Sequence, residues 1–331
     1  NSGTRPPATT LSPMPRPNLF LFGAAKAGTT ALHEYLNHHP SIFMSPIKEP
    51  HHFGSDLELG PGWHVPDRAE YEALFDAAGD APVRGESSVF YMISEHAARE
   101  VHDYTNGDAR IIVMLRDPVS AVWALHWQFL KSANETLTSL DAALEAEPRR
   151  ARGHHLPPMH HNRLALLYTR TYDYPPHLGR IDAAFPRDRV HIELFDDLQQ
   201  DPAALYARVL DFLGLDPGFA PAFEVVNKAQ PVRNLPLRQS LARSPALKRA
   251  WGKLPTRVRG AAGSLAASLI RDKQTRTSLT PAVASRLAER FEPTLPALEE
   301  RLGRDLSIWR DRWQSLASAD AEQPHHEEPN P

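Results

Sequence analysis

Cysteine is absent from all 331 residues, which removes disulfides and thiolate metal sites from any account of this chain. Also missing is an apolar run of the about 18 residues that a membrane-spanning helix needs, and the proline-rich start does not read as a secretory leader. Internal repeats are lacking. Charge of one sign is not in excess, since 37 Lys plus Arg stand against 40 Asp plus Glu. The formal charge of −3 argues against a nucleic-acid-binding face or any broad polyanion surface. Local exceptions are Arg149-Arg150-Ala151-Arg152 and the basic stretch from Arg238 to Arg259. The 17 histidines do not form a metal pattern. H-E-x-x-H does not occur, and the pairs His51-His52, His154-His155, His160-His161 and His325-His326 are sequence neighbours whose side chains diverge. No metal site is expected.

What is present is enough apolar material, 41% of the chain, to bury a large core, read as one elaborated domain over 18–315. Residues 1–17 and 316–331, rich in proline, acidic and small polar residues, read as disordered ends. Within the domain, 132–162 reads as an acceptor-side insert and 236–315 as a mainly helical C-terminal part.

The most informative stretch is Asn18 to Leu32, where a short aromatic-rich run, Leu19 to Phe22, leads through Gly23-Ala24-Ala25-Lys26-Ala27-Gly28-Thr29-Thr30 into an amphipathic helix. Such a turn sits at a helix N-terminus, where unpaired backbone N–H groups and the helix dipole favour an anion. Gly28 permits close approach, while Lys26, Thr29 and Thr30 add charge and hydroxyls. A nucleoside-triphosphate loop reads G-x-x-x-x-G-K-[ST]. Gly23 and Gly28 keep the glycine spacing, but the lysine comes before Gly28 and Thr29 stands where it should be. A second β-branched strand, Arg110 to Leu115, ends in Arg116-Asp117-Pro118-Val119 before another helix. Arg116 is thereby placed at a strand's carboxyl end, where open α/β sheets bind ligands and a guanidinium grips phosphate bidentately.

These elements resemble sulfotransferases that use 3′-phosphoadenylyl sulfate (PAPS), whose 5′-phosphosulfate loop reads K-x-G-T-T and whose 3′-phosphate element reads L-R-[DN]-P-V. The resemblance implies donor binding by Lys26, Ala27, Gly28, Thr29, Thr30 and Arg116. Relatives carry a serine eight residues after the arginine; this chain has Ala124 there, and Ser120, one turn earlier on the same helix face, is the candidate replacement. Lys48-Glu49-Pro50-His51-His52-Phe53 is similar to K-E-x-H-F-F of the heparan-sulfate-type branch, which implies Glu49 as general base with His51 beside it. A carboxylate there suits the chemistry, because an acceptor hydroxyl loses a proton as it attacks sulfur. As the residue before a proline, Glu49 is expected in extended backbone. Gly85-Glu86-Ser87-Ser88-Val89-Phe90-Tyr91 resembles the acceptor-side G-E-x-S-P-x-Y, with Glu86 as a rival base and Ser87 where some relatives have lysine.

The likeness continues through Tyr174-Pro175-Pro176, the strand Val190 to Phe195, the acidic turn Asp196-Asp197-Leu198 and the glycine-capped Phe212-Leu213-Gly214. Asn227 to Asn234 corresponds to a loop that reaches the 3′-phosphate, implying Arg233 and, less directly, Lys228. Leu302-Gly303-Arg304-Asp305-Leu306-Ser307-Ile308-Trp309 matches the closing helix of bacterial members. The implied fold is a three-layer α/β/α sandwich around a parallel sheet of about five strands, related to the P-loop NTPases. The implied reaction is metal-free sulfuryl transfer from PAPS, in a cytoplasmic setting, to a hydroxyl, or less readily an amine, of a small-molecule, lipid or carbohydrate acceptor. A P-loop kinase in which Asp117 organises magnesium, and a non-catalytic nucleotide-binding module, are the alternatives.

Overall fold

The computed structural model describes residues 16–60, 62–158, 160–223 and 279–318. Five strands form one sheet: β1 (Leu19–Leu21), β2 (Ile42–Met44), β3 (Val83–Ser87), β4 (Arg110–Leu115) and β5 (Val190–Leu194). They run in the order β2-β3-β1-β4-β5 and every pairing is parallel, Leu19 lying between Gly85 and Arg110. Parallel strands need crossover connections, and these supply α1 (Thr29–Asn37), α2 (Arg68–Ala73), α3 (Ala97–Thr105) and α4 (Pro118–Lys131). Between β4 and β5 follow α5 (Leu140–Glu145), α6 (Glu147–Ala151), α7 (Tyr168–Thr171) and α8 (Tyr174–Ala184). Beyond β5 lie α9 (Phe195–Gln200), α10 (Pro202–Leu213), α11 (Pro281–Phe291), α12 (Leu295–Leu302) and α13 (Ser307–Ser318). The sheet with its flanking helices is the expected α/β sandwich.

Burial explains the sequence of the central strands. Leu19, Phe20, Leu21 and Phe22 have no exposed surface, nor have Ile111 to Leu115, so continuous apolar runs are what this position demands. Each such side chain contributes about 1.5–3 kcal/mol relative to an exposed one. Among the described residues no helix is long and apolar enough to cross a membrane.

The C-terminal helices brace the strand ends. Trp309 and Trp313 of α13 are buried, the first donating to Asp196 Oδ2 at 2.9 Å and the second to Asp117 Oδ1. Arg312 reaches both carboxylates, 2.5 Å to Asp196 and 3.5 Å to Asp117. Helix α13 therefore ties together the first turns of α4 and α9, which follow β4 and β5.

Candidate functional site

Both anion elements lie at the carboxyl edge of adjacent strands. α1 starts immediately after Gly28, whose φ of 88° is left-handed, and no side chain caps the helix, so its first-turn amides stay open to an anion. A β-carbon on Gly28 would fall 2.5 Å from Leu198 and 3.0 Å from Phe195. Glycine is thus required by the α9 side chains pressed against it, as well as by φ. Arg116 donates through Nη1 to Lys26 O at 3.0 Å and lies 4.6 Å over the Phe195 ring, so the guanidinium of one element holds the backbone of the other. Burial depresses its pKa, but an arginine stays cationic. Tyr172 donates to Ala25 O at 2.9 Å and Tyr174 to Arg116 O at 2.8 Å, fixing the same two turns from the side of α8. Sequence named Tyr174 only as the start of a family-like stretch and Tyr172 not at all, because a hydroxyl aimed at a backbone carbonyl leaves no motif.

Two cavities open here. One, of about 530 Å³, is walled by Lys26, Gly28, Thr29, Thr30, Arg116 and Phe195. The other, of about 560 Å³, is walled by Ile47, Lys48, His51, Trp63, Val65 and His161. Thr30, Glu49, Phe90, Gln128 and Phe129 line both, so Glu49 stands at their junction. Its Oε1 accepts from Lys48 Nζ at 2.9 Å and its Oε2 lies 3.6 Å from His51 Nε2, with about a third of the side chain, 32%, still exposed. Lys26 Nζ donates to Gln128 Oε1 at 2.5 Å across the same junction.

Glu49 is not extended as its place before Pro50 predicts; its φ is 69°, and His51 follows at 44°. The loop is bent because alternate amides are anchored to the end of β3 and the turn after it: Glu49 N to Ser87 O (3.0 Å), His51 N to Ser88 Oγ (3.0 Å), Phe53 N to Tyr91 Oη (3.2 Å). Positive φ at two non-glycine residues is strain, held here by those bonds. Glu86 is the hub beneath them. It is wholly buried, accepts from Tyr91 and Ser88 at 2.7 Å and Tyr71 at 3.2 Å, and burial raises its carboxyl to about 7 against those donors. It lines neither cavity, so the structure gives Glu86 an anchoring place and not that of a rival base. Ser87 Oγ is paired with His33 Nδ1 at 2.9 Å.

Other expectations divide. Ala124 reaches the wall of the Lys26–Arg116 cavity, whereas Ser120, one turn nearer the start of α4, does not line that cavity. Arg233 and Lys228 fall outside the described residues. Asp117, the magnesium ligand of the kinase alternative, caps α4 by accepting from Val119 N at 3.0 Å and takes Trp313 and Arg312 as further donors. Its oxygens are used by packing. His51 stacks on Phe90 and His52 on Tyr71, so that pair diverges. The 132–162 segment holds α5 and α6 and is pinned by a fully buried pair, Arg150 to Glu135 at 2.7 Å, which removes Arg150 from the surface cluster. Burial alone would raise the Glu135 carboxyl, but Arg150 holds it below its ordinary value. The ends of this segment, Ser132, Asn134 and His161, line the second cavity.

Comparison with known proteins gives one family. A family model described as "Sulfotransferase domain" matches residues 16–230. Heparan sulfate glucosamine 3-O-sulfotransferase 6 of Homo sapiens is 30% identical over 199 residues, 60% of this chain and 52% of that protein. Membrane-associated sulfotransferase kil1 of Dictyostelium discoideum is 33% identical over 103 residues, 31% of this chain and 21% of its own. The chain thus spans about half the length, or less, of the curated relatives it matches. A crystal structure of a sulfotransferase from Alicyclobacillus acidocaldarius superposes with a TM-score of 0.66 at 27% identity, covering 89% of this chain and 99% of that one.

Proposed function

Because the chain belongs to the sulfotransferase domain family, we propose that it transfers a sulfuryl group from PAPS to an acceptor hydroxyl, with the donor in the Lys26–Arg116 cavity and the acceptor in the other. The observation that carries this reading is the junction: a cationic, helix-capped chamber and a second chamber share a wall whose one carboxylate is Glu49. The residues present fit the donor. Lys26, the hydroxyls of Thr29 and Thr30 and the open amides of α1 suit its 5′ end, and Arg116, held 3.0 Å from Lys26 O, suits its 3′-phosphate.

When bound, the donor supplies an electrophilic sulfuryl group attached to a nucleotide phosphate. Glu49 accepts the proton of the acceptor hydroxyl as that oxygen bonds to sulfur and the sulfur–oxygen bond to the phosphate breaks. Lys48, 2.9 Å from Glu49 Oε1, holds and aims the carboxylate before it takes the proton. His51 Nε2, 3.6 Å from the other oxygen, stands next to the incoming hydroxyl. Lys26 and the first-turn amides of α1 neutralise charge left on the departing phosphate oxygen, a fixed electrostatic contribution that costs no reorganisation. The Gln128 carbonyl oxygen, within 2.5 Å of Lys26 Nζ, holds that ammonium at the junction.

The test is a pair of variants measured for turnover of labelled PAPS and for calorimetric binding of 3′,5′-diphosphoadenosine. Glu49→Gln is expected to lose about 10²–10⁴-fold in turnover with nucleotide affinity kept within about twofold. Lys26→Ala should lose both. Wild-type turnover in Glu49→Gln would remove the base role from that residue.

A further inference from the structure

The second cavity has its own chemistry. Three groups of observations describe it. First, six of its lining residues are apolar, Ile47, Leu59, Trp63, Val65, Phe90 and Phe129. Two of them, Trp63 at 50% and Ile47 at 45% exposure, are among the three large hydrophobic side chains that stand open to solvent among the described residues, the third being Ile308 of α13. An exposed pair of that kind rimming a cavity marks a binding surface. Second, two buried ring nitrogens on this wall, His51 Nε2 and His64 Nδ1, have no hydrogen-bond partner among the described residues. His51 is 94% buried, since only 6% of its surface is exposed. Buried polar atoms of this kind call for a partner, and a ligand brings one. Third, the described lining residues include one lysine, Lys48, and its ammonium is engaged by Glu49 at 2.9 Å. Burial also pushes the imidazoles of His51 and His161 down, the latter to about 4, so these two rings are neutral at neutral pH.

The mouth is closed from two sides. Trp63 lies against His161 with ring planes tilted by 31°, and Gly60 N donates to His161 O at 3.3 Å, so the loop after Phe53 and the end of the 132–162 segment meet over the cavity. A space of about 560 Å³ has the volume of a small-molecule site.

Resting on the sulfuryl-transfer reading above, we propose that the acceptor is a compact, uncharged compound with a flat apolar body and a hydroxyl group, stacked between Trp63, Phe90 and Phe129 with its hydroxyl at His51 and Glu49. A sulfated saccharide chain fits the described wall poorly: such a ligand needs several cations along its length, and each of its charges would be desolvated against rings and aliphatic side chains. His64 Nδ1 takes a second neutral polar atom of the same ligand.

The experiment uses the full chain, labelled PAPS, and two acceptors, 2-naphthol and a heparan sulfate hexasaccharide. Calorimetric binding of 3′,5′-diphosphoadenosine is measured first and separately. With nucleotide bound, 2-naphthol is expected to bind and to be sulfated with kcat/KM about 100-fold or more above the hexasaccharide, a difference of about 2.7 kcal/mol. Trp63→Ala should raise KM for 2-naphthol about tenfold while leaving nucleotide affinity unchanged. Preference for the hexasaccharide, failure of 2-naphthol to bind the nucleotide-loaded protein, or a Trp63→Ala variant with unchanged KM overturns the acceptor assignment and leaves sulfuryl transfer standing. Absence of nucleotide binding overturns the transfer reading instead.

Discussion

The two cavities that meet at Glu49 are built by opposite means. The donor-side chamber is made of turns at strand ends: Gly28 and Arg116 lie one β-strand apart, and Tyr172, Tyr174 and Phe195 clamp them through backbone carbonyls and a stacked ring. The acceptor-side chamber is made of side chains from separate loops, with Trp63 and His161 brought together across about a hundred residues of sequence. The first presents amides and permanent cations; the second presents apolar surface and neutral imidazoles. A site whose ligand is always the same is specified by backbone and tightly spaced motifs. A site that sets specificity is specified by loops that can vary without disturbing the sheet.

Removing the bridge between the two donor elements is the strongest way to break this contrast. Arg116→Ala should weaken 3′,5′-diphosphoadenosine binding by about 10²-fold or more, and Arg116→Lys should recover only part of it, because lysine restores charge without the fork or the Phe195 stack. An Arg116→Lys variant with full affinity would reduce the guanidinium to a point charge. Next in size is Gly28→Ala. Its β-carbon meets Leu198 and the backbone φ is 88°, so a loss of about 1–3 kcal/mol in denaturant unfolding is expected, together with weaker nucleotide binding. A change of similar size on the acceptor side, such as Val65→Ala, should leave nucleotide affinity intact.

Acid should separate the chambers without any mutation. His51 and His161 on the acceptor wall are depressed by burial, the latter to about 4, so they gain charge as pH falls, whereas Arg116 is charged throughout. Acceptor KM should therefore rise between about pH 6 and 4 while nucleotide Kd moves less. Stability has its own sign. His33, His161 and His177, all lowered to about 4 from 6.5, leave the unfolded chain binding more protons in that window, so melting temperature falls as pH drops through it. Glu86 opposes this: its carboxyl is raised from 4.5 to about 7, the folded state holds the extra proton, and that contribution is lost as pH rises through the window. Glu86→Gln should accordingly steepen the fall on acidification, and an unchanged slope would mean that Glu86 stays ionised. The smallest effects concern α4. Ala124 faces the donor chamber, so Ala124→Ser should tighten nucleotide binding several-fold, about 1 kcal/mol for one hydrogen bond, and Ser120→Ala should change nothing measurable.

Much of the donor chamber was legible in sequence. A buried run, a glycine turn and a helix start are local features, and Lys26 to Thr30 and Arg116 stand where their motifs place them. Glu49, to which its motif drew attention, lines both cavities, yet its backbone was misjudged, because the preference of a residue before proline yields to three anchored amides and the Glu86 hub beneath them. Ser120 was misplaced since helix periodicity says which residues share a face but not how far along that face a cavity extends. Tyr172 and Gln128 were missed outright, and Tyr174 and Phe195 were named only as parts of the family likeness.

Sequence by itself determined three of the five strands, β1, β4 and β5, the turns that follow β1 and β4, and the glycine at position 28, all of which follow from propensity and hydrophobic pattern within a few neighbouring residues. Tertiary structure alone decided that Arg116 grips the Lys26 turn, that Glu49 stands where two cavities join, and that Trp63, His64 and His161 form one wall. The reason is physical: these are contacts between segments far apart in the chain, set by the parallel strand order and by packing of loops upon it, and no local pattern encodes a distance through space.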